Sequence, residues 1–131
     1  MIEFILPQTL GEWLAWLTAL ATVLVGIAVM ITPRLFVKAL GMETLEGRKE
    51  GLSEFRGPFG GFYVGIGLAV LVLHPQPLLY LALGAGFVFA LAGRLISFVF
   101  DGACRGLVIP GTLAEILGAF FPLAYAFGWI A

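Results

Sequence analysis

The stretch WLAWLTALATVLVGIAVMI (Trp13–Ile31) is apolar from end to end and holds no charged side chain. A helix rises ~1.5 Å per residue, so about 20 such residues cross a ~30 Å hydrocarbon core. Trp13 and Trp16 stand where interfacial aromatics collect, and Thr32-Pro33-Arg34 ends the run because proline disfavours helix in the residue before it. Three further apolar stretches of similar reach follow, over about 55–73, 78–100 and 110–130. The pattern predicts an all-α membrane protein, a four-transmembrane-helix bundle forming one integral domain over 1–131.

Composition carries the same conclusion. Of 131 residues, 61% are apolar and 11% charged, and mean hydropathy is +1.08. A soluble domain carries about 25% charged residues, and a chain this short leaves much of itself at the surface, so a soluble monomer is excluded. With a net charge of −1 and no basic run interleaved with aromatics, nothing points to nucleic acid. The single cysteine, Cys104, has no second thiol for a disulfide or a CxxC motif and is expected to be a buried apolar thiol. The first residues lack the basic region and cleavage site of a secretory signal, so the first stretch is expected to be retained as a span.

The polar residues gather in the connections. Pro33–Leu40 reads as a short interfacial helix stopped by Gly41, and the mixed charges after it as a solvated loop or helix start. His74-Pro75-Gln76-Pro77 is a tight turn between antiparallel helices, and Asp101–Gly106 is turn-rich. Pro122 falls inside the fourth span, where it is a candidate kink. Arg34, Lys38, Arg48, Lys49 and Arg56 lie on or beside the first connection, and Arg94 and Arg105 in or near the third. Positive-inside bias places both basic connections in the cytoplasm and both termini outside; the expected location is a cell inner membrane, as a multi-pass protein.

Five charges in or near the spans are candidates for function: Glu54, Arg56, Arg94, Asp101 and Glu115. Arg94 and Asp101 are two helical turns apart, about 10 Å, on a similar face of the third span. An unpaired arginine in hydrocarbon costs at least ~2.5–3.5 kcal/mol, which favours turning these side chains inward and pairing them. The expected cluster pairs Arg94 with Glu115 or Glu54, and Arg56 with Asp101 or Glu54. Tyr63 is a candidate either to add a hydroxyl to it or to serve as an ordinary aromatic packing residue. The alternative is a set of helix-locking ion pairs without further function.

Gly57, Gly61 and Gly65 recur every four residues, with Gly60 and Gly67 beside them, a small-xxx-small seam suited to close helix packing or to a homo-oligomer. The run lacks the lysine and hydroxyl of a phosphate-binding loop. His74 is the only histidine and has no nitrogen or sulfur ligand near it in sequence, so no metal site is expected. Ser53 and Ser97 are the only serines and neither stands in a GxSxG turn. No motif calls for a cofactor.

The segment Glu54-Phe55-Arg56-Gly57-Pro58-Phe59-Gly60-Gly61-Phe62-Tyr63-Val64-Gly65-Ile66-Gly67-Leu68 is followed by Gly93-Arg94, Asp101-Gly102 and Glu115. In that order and spacing they resemble a family of small bacterial four-helix membrane proteins, domain of unknown function 4345, which is broadly similar to DoxX-like proteins. The resemblance covers roughly residues 12 to 128. It departs at Pro58-Phe59, where a small residue and a tyrosine are more usual. It implies the four-helix architecture and singles out the same polar residues, and it implies no activity.

The function expected first is binding, in the lipid bilayer, of a lipid-like or small apolar ligand or of a membrane protein partner, through the Glu/Arg/Asp cluster. The alternatives are a small proton-coupled transporter working as a dimer, with Glu54, Glu115 or Asp101 exchanging the proton, and an isomerase or cyclase acting on a lipophilic substrate. Against transport, no carboxylate falls mid-span and no inverted repeat is visible.

Overall fold

The computed structural model describes residues 3–131, which are helical with no strand among them. Four helices are long and apolar enough to cross a membrane: Leu10–Ile31, Glu50–Val72, Pro77–Phe100 and Val108–Ala126. These are the first to fourth long helices below.

The first opens on a reciprocal cap. Thr9 Oγ1 accepts from the Glu12 amide, and Glu12 Oε2 accepts from the Thr9 and Gln8 amides at 3.4 and 2.6 Å. It closes at Thr32, whose amide and hydroxyl both donate to the Ala28 carbonyl. Pro33 then starts a short helix, Pro33–Ala39, that buries Pro33 and Val37 and leaves Arg34 and Lys38 exposed.

The second long helix begins at Glu50, ahead of the expected Phe55, and takes in part of the polar connection. A carboxylate in a first turn meets the positive end of the helix dipole, which favours a start there. Residues Phe55–Gly61 form a π-helical turn within it, and the Phe62 amide reaches back to the Gly57 carbonyl. Pro58 sits inside this turn and supplies no amide, and the wider turn accommodates the gap. The fourth helix stops at Ala126 rather than near Ile130, because Gly128 turns the backbone to a φ of +75°. Pro122 stays within that single helix, fully buried.

The closest pairings are first with second and third with fourth, and the first also packs on the fourth. Contact between second and third is sparser. The chain is thus two antiparallel hairpins joined through the first and fourth helices.

Small residues make the joins. The first helix buries Gly11, Ala15, Ala19 and Gly26 along one side. Gly60 lies against Gly26 and Met30, and Gly67 against Ala19 and Val23. Among the described residues a Cβ at Gly57 or Gly65 would meet no neighbouring atom within 4 Å, and one at Gly61 would meet the Arg56 carbonyl oxygen of its own helix at 3.5 Å. The seam expected along Gly57, Gly61 and Gly65 is therefore not the one that joins the helices. Gly60 and Gly67, seven residues apart, form that face.

The apolar core of Ala15, Ala19, Val23, Val70, Leu71, Tyr80 and Leu83 lies toward the end where the second and third helices connect. Outside, large apolar side chains such as Leu24, Phe62, Phe89 and Phe120 stand exposed on every long helix, as a surface in contact with lipid requires. Cys104, expected inside, is exposed in the connection between the third and fourth helices.

Candidate functional site

The antiparallel arrangement gathers polar groups at the two ends of the bundle. At one end stand the start of the second and fourth long helices and the close of the first and third. Arg94, less than two turns from the end of the third helix, reaches across to Glu115 on the fourth. Its Nε and Nη2 donate to the two carboxylate oxygens, each at 2.7 Å. This two-pronged geometry is the strong form of an arginine–carboxylate pair. The side chains are 24% and 12% exposed, so the pair is largely withdrawn from the surface. Gly111, one turn ahead of Glu115, makes room for it: a Cβ there would come within 3.0 Å of Arg94 Nη2. Tyr63 on the second helix lies within electrostatic reach of both partners and packs edge-on against Phe87 of the third.

The other three expected members are placed differently. Arg56 donates through Nη1 to the Met30 carbonyl, so it pairs with neither Asp101 nor Glu54. The last carbonyls of a helix have no partner within it, and Arg56 satisfies one of those of the first helix. Asp101 Oδ2 accepts from the Ser97 hydroxyl at 2.8 Å, one turn back on its own chain. With a local donor at that range, Asp101 is held on its own helix end and not by an arginine. Glu54 is exposed, and its carboxylate makes no hydrogen bond or ion pair among the described residues. The five-member cluster thus reduces to one ion pair between two helices, with Arg56 as a helix cap.

Beside the pair is an open pocket of about 250 Å³, lined by Ala90, Arg94, Ser97, Ala103 and Val108. Only two of the five guanidinium N–H groups are engaged by Glu115. Among the described residues no three His, Cys, Asp or Glu side chains converge to hold a metal.

The opposite end holds a constellation that sequence reasoning missed. His74, in the connection between the second and third helices, is 2% exposed. Its Nδ1 lies 2.8 Å from the hydroxyl of Tyr80, which is fully buried, and its Nε2 3.9 Å from Glu12 Oε2. The Tyr125 ring packs against both rings, with centroids 6.2 Å from His74 and 4.8 Å from Tyr80. Burial pushes the imidazole below the usual histidine range, opposed in part by the Glu12 carboxylate. His74 thus joins the first, third and fourth helices, where the sequence reading leaves it as a turn residue.

A bundle of four apolar helices, with one two-pronged ion pair sunk near an end, defines the class: an integral membrane protein of the small four-helix type. Residues 11–127 match the family described as a domain of unknown function (DUF4345), and the chain belongs to that family. Comparison with curated proteins and with solved structures finds no match.

Proposed function

We propose that this protein binds the polar head of an amphiphile in the pocket beside Arg94, while the apolar part of that molecule lies along the lipid-facing helices. The observation that carries this reading is the arginine itself. It borders the pocket, is held by Glu115, and keeps three N–H groups uncommitted among the described residues. Binding sites of this kind are mostly apolar, with a few fixed polar groups. The local charge narrows the ligand further. Glu115 cancels the guanidinium, so an anionic head gains little net attraction, whereas a carbonyl or ester oxygen can accept an N–H without meeting that carboxylate as a charge. The head group is therefore an uncharged acceptor.

Filling the pocket tests this. Ala90→Leu adds bulk at the lining and leaves both partners of the ion pair in the chain. Native mass spectrometry of the protein taken directly from its membrane into nanodiscs is expected to show one specific amphiphile at fixed stoichiometry. Ala90→Leu is expected to lose at least ten-fold of it while keeping the wild-type melting temperature. Equal retention by the variant, or bulk lipid alone in both, refutes the reading.

The basic residues on the first and third connections favour placing this end at the cytoplasmic face of a bacterial inner membrane, with both termini opposite. Exposed Cys104 is a native probe of that side. A membrane-impermeant maleimide is expected to leave it unlabelled in intact spheroplasts and to label it once they are permeabilised. Labelling from outside reverses the orientation.

A further inference from the structure

We propose that His74 is a proton-operated latch, and that taking up a proton there loosens the end of the bundle where the first, third and fourth long helices meet. The argument begins with what faces the ring. The first helix contributes Glu12, the third Tyr80 and the fourth Tyr125. The second helix runs directly into His74, and its last turn, Val70-Leu71-Val72-Leu73, has no titratable side chain.

An ionised carboxylate only accepts, so Glu12 favours the neutral tautomer with hydrogen on Nε2. Nδ1 then accepts from the Tyr80 hydroxyl. In that state Nδ1 is hydrogen-bonded, Nε2–H faces the Glu12 carboxylate from 3.9 Å, and the uncharged ring fits a buried place. A second proton goes onto Nδ1 and changes it from acceptor to donor. Tyr80 must now offer a lone pair and send its own hydrogen elsewhere. It is fully buried, and among the described residues His74 is the only hydrogen-bond partner of that hydroxyl. The new positive charge also requires Glu12. At 3.9 Å, Glu12 Oε2 is beyond hydrogen-bond range, and that same oxygen holds the Gln8 and Thr9 amides in the cap of the first helix. To pair with the imidazolium, Glu12 must give up part of that cap. Protonation therefore sets the latch against both the Tyr80 contact and the opening of the first helix.

The sign follows from linkage. Burial favours the neutral ring, so the closed end binds this proton less readily than the opened end does. Closure has its full strength above the ordinary histidine value of about 6.5 and weakens as pH falls through that value toward the lower one of the closed form.

The test uses the full chain in phosphatidylcholine nanodiscs, whose lipid does not titrate in this range. Trp13, Trp16 and Trp129, all the tryptophans of the chain, lie at this end, so intrinsic fluorescence and its quenching by acrylamide read it without a label. Between pH 7.5 and 4.5, chosen to bracket the histidine range of about 6.5, quenching is expected to rise reversibly, with a midpoint below that value. His74→Phe is expected to abolish the transition. Glu12→Gln removes the charge that favours the imidazolium and is expected to move the midpoint to lower pH, which decides the matter even where the histidine variant fails to fold. The proposal is overturned by an unchanged transition in His74→Phe, by an upward shift in Glu12→Gln, or by no transition in the wild type. Loss of the whole helical circular-dichroism signal over the same range also overturns it, because the latch acts on one end.

Discussion

Glu115→Ala is expected to destabilise the bundle by about 3–5 kcal/mol, more than Arg94→Ala does, although the two substitutions delete the same interaction. Breaking a buried pair costs chiefly what is left behind, and the two remnants differ. Without Glu115 the guanidinium stands alone, sunk between the third and fourth helices beside Gly111. A guanidinium keeps its charge at any ordinary pH, so relief has to come from moving the long side chain toward the end of the helix, at the expense of local packing. Without Arg94 the stranded group is a carboxyl, and a carboxyl in an apolar place can shed its charge by taking up a proton. Unfolding in mixed micelles of increasing sodium dodecyl sulfate, followed by circular dichroism, measures both. The paired replacement Arg94→Met with Glu115→Leu strands nothing and is expected to recover most of the loss. Equal effects of the two single variants, or a double variant as poor as Glu115→Ala, would show that the pair is not withdrawn from water in the membrane.

The same ion pair shows how far the sequence could be read. Charge in an apolar stretch is rare and costly, so Arg94 and Glu115 stood out by energy alone, and helix order placed them at one end. Arg56 stood out equally, yet its partner is a backbone carbonyl, and a carbonyl leaves no mark in a sequence. Asp101 had a competitor one turn away in Ser97, and local hydrogen bonds of that spacing form before any long-range pairing is needed. His74 was missed for a different reason. Glu12, His74, Tyr80 and Tyr125 are far apart in sequence, and only the antiparallel order of the four helices assembles them. That order was available: the start of the first and third helices and the end of the second and fourth must share one end. The signal lay in asking which polar groups such an arrangement brings together, instead of which ones sit near a charge.

The two ends also differ in kind, which bears on function. Arg94 and Glu115 are charged, paired with each other and beside a pocket. At the His74 end the ring and the Tyr80 hydroxyl are buried, with Nδ1 and that hydroxyl paired among aromatic rings and the Glu12 carboxylate nearby. The proposed ligand site and the proposed proton-sensitive closure lie at opposite ends of the third and fourth helices, and coupling between them would run through how the bundle packs. The small-residue face of the first helix sets its packing against the second.

Enlarging Gly60 or Gly67 is expected to have a large steric effect on that packing. At Gly60 a Cβ would stand 2.6 Å from Met30 Cγ and 3.0 Å from both the Gly26 carbonyl oxygen and the Met30 amide nitrogen. At Gly67 it would stand 2.5 Å from Val23 Cγ2 and 2.9 Å from the Ala19 carbonyl oxygen. Part of each obstacle is backbone, which cannot turn aside as a side chain can, so the first and second helices must separate. In lipid no hydrophobic force draws them back, since tails solvate apolar faces as well as another helix does, and contact packing carries the association. Gly60→Leu and Gly67→Leu are each expected to abolish the folded bundle in mild detergent, seen as loss of the monodisperse peak in size-exclusion chromatography. Gly57→Leu and Gly65→Leu meet no neighbouring atom within 4 Å of the new Cβ and are expected to fold. If instead Gly57 and Gly65 prove intolerant in the membrane while the purified monomer accepts them, the outward glycines meet a second molecule there, and the inner face is not the only one these residues serve.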